Sequence, residues 1–382
     1  MKKDYDSTRI YRNTHKKRVR HRLMTHPHQI LDFMKKYNIL NKVQVVAFFH
    51  FAFLCISSLI LFSCDNSKDK ISNAAKFQKQ IEITPFVTYL EGASKQLDLI
   101  FLENYYVIQN DVEANQNQLS VYDKTTNKHL YSFAVKGHGR NETMAMDMIQ
   151  NTNGDTLEII DQAKYKILKY KLDSKKATFL SSKSLKLPFA GPLQEVYRIN
   201  DSIIIFNTLE QYLQTYNEKK EKTTYVYSML DSLGLNGENR NFADFHFAYK
   251  KNKVCIGFRC INAITIGSVN EFGEIKITNI KSVKNKINLS APKRIYYCFV
   301  DINDTNILAQ YMGYEPGFVS KASNYKLYNP KFEIEIYSLN LTPFKHIVPK
   351  SDILRCKINE KGNYFYSWNP LDNKENILKF KY

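Results

Sequence analysis

Short runs rich in Val, Ile, Tyr, Phe and Thr recur through residues 81–382, and turns of Asn, Asp, Gly and Lys separate them. Aromatic and β-branched side chains fit a pleated, half-buried surface, so each run predicts a β-strand. The 26 Tyr and 24 Phe strengthen that prediction. Long segments of helical period are largely absent, and only 143–150 suggests a short helix. The sequence therefore indicates an all-β domain.

The first four runs show how the strands are grouped. They are joined by short polar turns, as in a four-strand antiparallel meander, and they lie at 97–102, 105–109, 118–122 and 129–135. About six such units fill the domain, and blades of radially repeated folds recur about every 40–50 residues. A single meander cannot bury its faces alone, whereas a ring of them can. We therefore predict a six-bladed β-propeller, in which an early strand at 81–86 joins the last blade. The alternative is a large β-sandwich.

An apolar run from 43 to 62 constrains where the domain is located. Lys35 and Lys36 precede it, and it ends close to Cys64. A basic start, an apolar core and a small residue before the cleavage point are typical of an export signal. The alternative is an uncleaved transmembrane anchor, because about 18–20 apolar residues can span a bilayer. Under both interpretations, an export signal or an anchor, the basic end stays in the cytoplasm and the later residues lie outside it.

The end of this run favours a lipoprotein. Leu61-Phe62-Ser63-Cys64 resembles a lipobox, in which Leu61 fills an apolar pocket of the signal peptidase and Ser63 is small enough to lie beside the cleaved bond. The Cys64 thiol would carry the lipid and become the new N-terminus. The predicted organisation is a basic extension or an upstream mis-start at 1–33, a signal peptide at 34–64, a polar tether at 65–80 and the β-domain at 81–382.

The net charge of +18 first suggests a nucleic-acid partner. Half of that excess, however, lies in residues 1–64, which hold 12 Lys and Arg against 3 Asp and Glu. The rest is spread over the large domain without a dense basic stripe among aromatic residues. We therefore expect no nucleic-acid partner, and we expect the membrane to be reached through the lipid.

The cysteines and histidines after the signal do not predict a metal centre. Both sets are scattered and show no metal-ligand spacing, and they comprise Cys255, Cys260, Cys298, Cys356, His129, His138, His246 and His346. Free thiols packed as small apolar groups are favoured over disulfides, although an exported protein can form them. We expect no metal and no cofactor.

A glycine-rich turn follows the first predicted blade, with the sequence Gly-His-Gly-Arg-Asn-Glu at 137–142. Together with the lipobox, the tether and the four-strand units, this turn resembles the TolB-like six-bladed propeller lipoproteins of Bacteroidetes. The resemblance covers about 81–382. It implies a propeller in the cell envelope, anchored by lipid on the extracytoplasmic side and most simply at the outer membrane. It implies no catalytic residues.

Two segments are candidates for binding. In the turn, His138, Arg140 and Glu142 are predicted to face the mouth of the channel, where Arg140 would bind an anion. The alternative is a structural turn that uses the positive φ available to glycine. The second candidate is the aromatic loop 312–330, which contains Tyr314, Glu315 and Phe318. Long loops with aromatic side chains often form binding surfaces. Its alternative is an insertion packed on its own domain.

No nucleophile elbow, phosphate loop or carboxylate pair stands out in the sequence. The leading hypothesis is a binding or scaffold module for an unknown protein or small molecule. The alternative is a hydrolase or lyase whose residues converge in the central channel, and a third hypothesis is a purely structural envelope protein. A cluster of Asp, Glu, His and Arg at the channel mouth would favour an enzyme, whereas an exposed aromatic face would favour a binding module.

Overall fold

The computed structural model describes residues 76–77, 80–90, 96–139, 142–187, 193–208, 212–228, 244–282, 295–314, 332–351, 353–359, 363–369 and 376–382. All of these belong to one compact unit, Lys70–Tyr382. The predicted signal peptide and Leu61, Ser63 and Cys64 lie outside them. No helix in the described ranges has the length and hydropathy required to cross a membrane.

The described residues form 25 strands in six sheets, and neighbouring strands within a sheet are antiparallel except for one parallel pair. Blade 1 comprises β3 (Gln96–Phe101), β4 (Tyr105–Asn110), β5 (Asn117–Asp123) and β6 (His129–Val135). Blade 2 comprises β7 (Met146–Ile149), β8 (Thr156–Asp161), β9 (Lys166–Leu172) and β10 (Ala177–Ser184). Blade 3 comprises β11 (Leu193–Asn200), β12 (Ile203–Thr208), β13 (Tyr212–Asn217) and β14 (Lys222–Ser228).

The remaining three blades follow the same order. Blade 4 comprises β15 (Phe245–Lys250), β16 (Lys253–Phe258), β17 (Ala263–Val269) and β18 (Ile275–Ser282). Blade 5 comprises β19 (Ile295–Ile302), β20 (Asn306–Tyr314), β21 (Glu333–Ser338), β22 (Pro343–Pro349) and the added strand β1 (Gln80–Ile83). Blade 6 comprises β23 (Arg355–Ile358), β24 (Tyr364–Trp368), β25 (Asn376–Lys381) and β2 (Phe86–Tyr89). The predicted six-bladed propeller is confirmed.

The ring is closed by the N-terminal part of the domain. β2 pairs antiparallel with β25 and supplies the outermost strand of blade 6. β1 instead pairs parallel with β22 of blade 5. The predicted single closing strand at 81–86 is therefore wrong in detail. Pro85 explains the difference, because proline has no N–H to donate to a ladder and divides the run in two.

The hydrophobic core is divided among the junctions between blades. Separate clusters of buried side chains join blades 1 and 2, blades 2 and 3, blades 5 and 6, and blades 6 and 1, while a larger cluster joins blades 3, 4 and 5. Burying one large aliphatic or aromatic side chain contributes about 1.5–3 kcal/mol. Each blade is therefore stabilised mainly by its neighbours, as the sequence argument required.

The suggested helix at 143–150 is wrong, because Met146–Ile149 forms β7, the innermost strand of blade 2. Ala and Met favour helices, but this segment pairs with β8 and Ile149 and Met148 are buried. The four cysteines of the domain are free thiols, with Cys255 and Cys356 buried.

Candidate functional site

The first strand of each blade lines the central axis, and successive first strands contact one another around most of the ring. Two cavities lie along this axis. One, of about 320 Å³, opens where these inner strands begin. The other, of about 300 Å³, opens where they end. Gln150, Tyr197 and Lys357 line both.

The cavity at the beginning of the inner strands, here called the acidic cavity, collects charged side chains from four blades. Asp98 lies on β3, Asp147 on β7 and Glu195 on β11, while Arg355 and Lys357 lie on β23. Its apolar wall consists of Leu97, Met148, Val196, Tyr197, Phe299 and Trp368, and its neutral amides are Gln109, Gln150 and Gln194. The combination of apolar wall and convergent polar groups is typical of small-molecule sites.

Irregular pairing at three inner strands directs side chains into this cavity. The register of β3 shifts between Gln96 and Asp98, and that of β11 shifts between Leu193 and Val196, around Glu195. A third shift in β19 ends at Phe299. An extra residue bends a strand and re-aims a side chain, and such bulges are common beside functional sites. Here they occur in blades 1, 3 and 5.

Glu195 is held rigidly by the neighbouring blade. His246 Nδ1 lies 2.7 Å from Glu195 Oε1, and the Phe247 N–H donates to Oε2 over 2.9 Å. The Glu195 N–H donates to Asn207 Oδ1 over 2.8 Å. Both carboxylate oxygens therefore have fixed partners, and the charge cannot swing out of the cavity.

Asp98 belongs to a chain of hydrogen bonds that crosses the channel. Lys357 Nζ donates to Gln150 Oε1 over 2.6 Å, and Gln150 Nε2 donates to Asp98 Oδ2 over 3.1 Å. Burial raises the pKa of Asp98, and the nearby Lys357 ammonium opposes that rise. This chain links blades 6, 2 and 1 at the boundary between the two cavities.

Asp147 is the carboxylate most affected by its surroundings. Burial raises its pKa to about 6, and Asp98 and Glu195 add to the rise, whereas a hydrogen bond from Gln162 and the charge of Arg355 oppose it. Gln162 donates to Oδ2. No hydrogen bond from the described residues reaches Asp147 Oδ1.

Arg355 and Trp368 provide donors on blade 6. They are cross-strand partners in the antiparallel pair β23 and β24, which places their side chains on one face. Trp368 is only 3% exposed, yet its indole N–H has no acceptor in the part of the chain that the structure describes. A buried donor without a partner costs about 1–3 kcal/mol. Arg355 is exposed and forms no ion pair with any described side chain.

The opposite cavity is a weaker candidate because several of its charges are already compensated. Arg198 is buried and donates to Glu158 and Glu218. Lys251 is paired with Asp304 at 2.6 Å. In the described ranges, no group of three or more His, Cys, Asp or Glu side chains is arranged to hold a metal ion.

The predicted turn at 137–142 lies between blades 1 and 2, and neither His138 nor Glu142 lines the two cavities. His138 is exposed. The Glu142 carboxylate folds back and accepts the Gly139 N–H over 2.7 Å, while Lys164 Nζ donates to the carbonyls of Gly139 and Glu142. Arg140 lies outside the described residues. A binding role for this turn therefore stays a prediction.

The glycines of this turn leave space for the Glu142 side chain. Neither Gly137 nor Gly139 has positive φ, contrary to the structural alternative drawn from the sequence. A Cβ on Gly137 would lie 2.1 Å from Glu142 Oε2, and one on Gly139 would lie 2.8 Å from Glu142 Cδ. The two glycines leave room for the Glu142 carboxylate to lie close to the backbone.

The second predicted segment is described only at its start. Tyr314 is the last residue of β20, where its backbone is paired with Ile295. Glu315 and Phe318 lie outside the described residues. Recognition by this loop stays a prediction.

Sequence reasoning missed the acidic cavity, although a signal was present. Asp98, Asp147, Glu195 and His246 recur about every 50 residues, the interval expected for propeller blades. Each lies near the start of an inner strand, and Asp98, Asp147 and His246 each lie between two apolar residues. A charged residue at one repeated position of consecutive blades marks the channel, because the inner strands surround the axis.

Comparison with solved structures shows the same fold in proteins from Bacteroides. A member of the DUF4221 family from Bacteroides vulgatus has a TM-score of 0.53 and 11% identity, over 79% of this chain and 96% of that one. A protein from Bacteroides fragilis that is predicted to be exported has a TM-score of 0.50 and 14% identity, over 80% of this chain and all of that one. No family model and no curated protein matches the chain. The six-bladed fold implied by the resemblance is confirmed, and the TolB-like grouping stays a prediction.

Proposed function

We propose that the protein is an exported lipoprotein whose propeller binds a small polar ligand in the acidic cavity. The observation that carries this proposal is the cavity itself, where charged groups from four blades converge beside an apolar wall. Glu195 and Asp98 are fixed by hydrogen bonds from other blades. A site whose groups are held by neighbouring elements is preorganised, which reduces the entropy lost on binding.

Two polar groups in the cavity wall favour a ligand over a purely structural network. Asp147 Oδ1 has no donor among the described residues, and the buried Trp368 N–H has no acceptor. A structural network normally satisfies its members. A ligand with a donor and an acceptor would satisfy both groups.

Binding is tested with the full-length lipidated protein purified in detergent. A chemically diverse library of sugars, amines, carboxylates and amino acids is screened by the shift in Tm, because a ligand that binds only the folded state stabilises it. We expect at least one class to raise Tm in the wild type and not in Glu195→Gln. Stabilisation that is equal in both proteins would place the ligand elsewhere.

The envelope location rests on the lipobox and the apolar run before it. Cys64→Ser removes the thiol that would carry the lipid. We expect the wild type to incorporate labelled palmitate and to sediment with membranes, whereas the variant incorporates none. Membrane association and labelling unchanged in the variant would favour the transmembrane anchor instead. Fractionation of inner and outer membranes then tests the predicted outer-membrane position.

A hydrolase or lyase is the second candidate, and the pKa of Asp147 favours it. A carboxyl with a pKa of about 6 beside other carboxylates can both donate and accept protons near neutral pH. The imidazole of His246 lies behind Glu195, within hydrogen-bond distance of its carboxylate. Turnover of glycosidic, ester or amide substrates that is lost in Asp147→Asn would support an enzyme, while binding without turnover would support the binding module.

A protein partner is tested separately, because its predicted surface is the loop 312–330. Crosslinking in intact cells followed by mass spectrometry identifies proteins near the lipoprotein. A partner that disappears when this loop is replaced would support a scaffold role, and its retention would exclude the loop as the docking surface.

A further inference from the structure

The donors and acceptors of the acidic cavity are separated by blade. The three carboxylates, Asp98, Asp147 and Glu195, come from blades 1, 2 and 3. The two cationic side chains, Arg355 and Lys357, both come from blade 6. In a ring of six, blade 6 lies across the axis from blade 3. Blade 6 also adjoins blade 1, so Asp147 and Glu195, on blades 2 and 3, are the carboxylates separated from the two cationic side chains.

The positive side presents a pair of donors suited to a carboxylate. Arg355 and Trp368 are directly opposite each other on β23 and β24. The guanidinium offers a planar fork of N–H groups that matches the two oxygens of a carboxylate. The indole N–H of Trp368 is buried and finds no acceptor among the described residues. Lys357, in contrast, already donates to Gln150 over 2.6 Å.

The negative side presents one acceptor suited to an ammonium group. Both oxygens of Glu195 and both oxygens of Asp98 already accept hydrogen bonds from the protein. Asp147 accepts one hydrogen bond, from Gln162 to Oδ2, and its Oδ1 has no donor among the described residues. The other two carboxylates add a negative field around this oxygen.

We infer that the ligand of the acidic cavity is a small zwitterion, such as a free amino acid, with its carboxylate at Arg355 and Trp368 and its ammonium group at Asp147. This inference rests on the proposed function and adds the chemical class of the ligand. The cavity volume of about 320 Å³ is at the lower end of ligand pockets, which suits a compound of this size.

Ligands of a single charge sign fit the cavity less well. A simple amine would satisfy Asp147 but would lie near the positive charges of Arg355 and Lys357. A simple acid would satisfy Arg355 but would face three carboxylates. Such a site is strongly selective, because a ligand with the wrong charge lacks one attractive contact and is also repelled by the groups of like charge.

Because the chain contains one Trp, ligand binding in the acidic cavity can be followed by the fluorescence of Trp368. Emission excited at a wavelength absorbed by tryptophan reports only Trp368, even in the full-length lipidated protein. The common L-amino acids other than tryptophan are titrated individually, together with panels of neutral sugars, simple amines and simple carboxylates. We expect a saturable change in emission with at least one amino acid and no comparable change with the other panels.

Matched derivatives of the best amino acid then test each charge in the wild type, so that no variant needs to fold. Its amide lacks the carboxylate, and its N-acetyl derivative lacks the ammonium group. We expect each derivative to bind at least tenfold more weakly. Equal affinity of the amino acid and either derivative would overturn the inference.

Two variants assign the charges to residues. Arg355→Gln is expected to bind the amino acid no more tightly than its amide. Asp147→Asn is expected to bind the amino acid no more tightly than its N-acetyl derivative. Lys251→Gln, which alters the opposite cavity, is the matched control and is expected to bind as the wild type does. Loss of binding only in Lys251→Gln would place the ligand in the other cavity and overturn the assignment.

The outcomes separate this inference from the proposed function. Binding of sugars, amines or simple carboxylates in place of amino acids would overturn the zwitterion and leave a channel that binds small ligands. Failure of every panel to change either Trp368 emission or Tm would overturn both.

Discussion

Asp147 shows how one residue connects the stability of the fold with its proposed chemistry. Its carboxyl is buried among Asp98, Glu195 and Arg355, and burial is the main reason that its pKa rises to about 6. The folded protein therefore binds this proton more tightly than the unfolded chain does. Ionisation of Asp147 near neutral pH costs free energy that a ligand cation would recover.

Asp147→Asn is expected to stabilise the protein at pH 7.5. A raised carboxyl pKa means that the wild type loses stability as pH rises from about 4 to about 6. A tenfold change in proton affinity corresponds to about 1.4 kcal/mol, so the variant gains up to about 3 kcal/mol at neutral pH. The gain should vanish at pH 4 or below. Denaturant unfolding at both pH values measures it, and a variant less stable than the wild type at pH 7.5 would contradict this account.

Asp123→Asn is the matched control with the opposite sign. Hydrogen bonds from Thr126, through its backbone and its hydroxyl, are the main reason that the pKa of Asp123 is lowered, and Thr125 adds another. Its stabilising effect is present at neutral pH and is lost as pH falls through the lowered pKa. We therefore expect this variant to be less stable than the wild type at pH 7.5, with the difference shrinking in acid.

The residues of the acidic cavity could have been found from the sequence only in part. The titratable residues at 98, 147, 195 and 246 recur at blade spacing, and the amino-acid sequence alone displays that interval. Their convergence depends on the bulges in β3 and β11. A bulge changes which face a side chain occupies, and alternation alone does not predict it. The pairing of Arg355 with Trp368 depends in addition on the register of blade 6.

At the scale of elements, Phe77 is part of the propeller although it precedes the first strand. The sequence places Phe77 in the polar tether, but its ring is only 8% exposed. It lies 5.3 Å from the ring of Tyr337 and 5.6 Å from that of His346. The N-terminal segment thus contacts blade 5 through both Phe77 and β1.

Phe77→Ala is expected to destabilise the domain by about 2–4 kcal/mol, because it removes a buried ring from packed neighbours. The control is Phe86→Ala in β2, where the ring is 65% exposed. Thermal unfolding of both variants should show a lower Tm for the first and little change for the second. An equal change in Tm for the two variants would mean that Phe77 does not stabilise the propeller.

Gly257 in β16 shows that the junction of blades 4 and 5 is closely packed. A Cβ there would lie 2.6 Å from Val300 Cγ1 and 3.0 Å from Tyr297 Cβ, both on β19. We expect Gly257→Ala to cost about 1–3 kcal/mol, since overpacking forces neighbours apart. Gly139→Ala is the control, because the end of the Glu142 side chain can move aside. Tm values that rank the two variants in the opposite order would contradict this packing argument.

The elements that the sequence predicted were those with clear turns. All four strands of blade 1 were placed correctly, because polar turns bound each apolar run. β7 was missed because Met and Ala favour helices in isolation, and its strand conformation depends on β8. The sequence did not predict that the closing strand divides at Pro85, because the division depends on which blade edge each half pairs with.

At the scale of the molecule, the propeller is a rigid ring around the acidic cavity. Each blade is packed on its neighbours, so residues on separate blades keep fixed positions across the axis. Such a scaffold suits the recognition of a small ligand by several side chains at once. The proposed lipid on Cys64 would hold this ring at the envelope, where the ligand is met outside the cytoplasm.

The central claim is that the acidic cavity holds a small molecule, and its most direct test is to identify what the protein carries. The lipidated protein is purified gently from its own envelope, and native mass spectrometry compares it with a variant bearing Asp98→Asn, Asp147→Asn and Glu195→Gln. We predict a small molecule at about one per chain in the wild type and none in the variant. A wild type that carries no compound, or a compound retained equally by the variant, would contradict the claim.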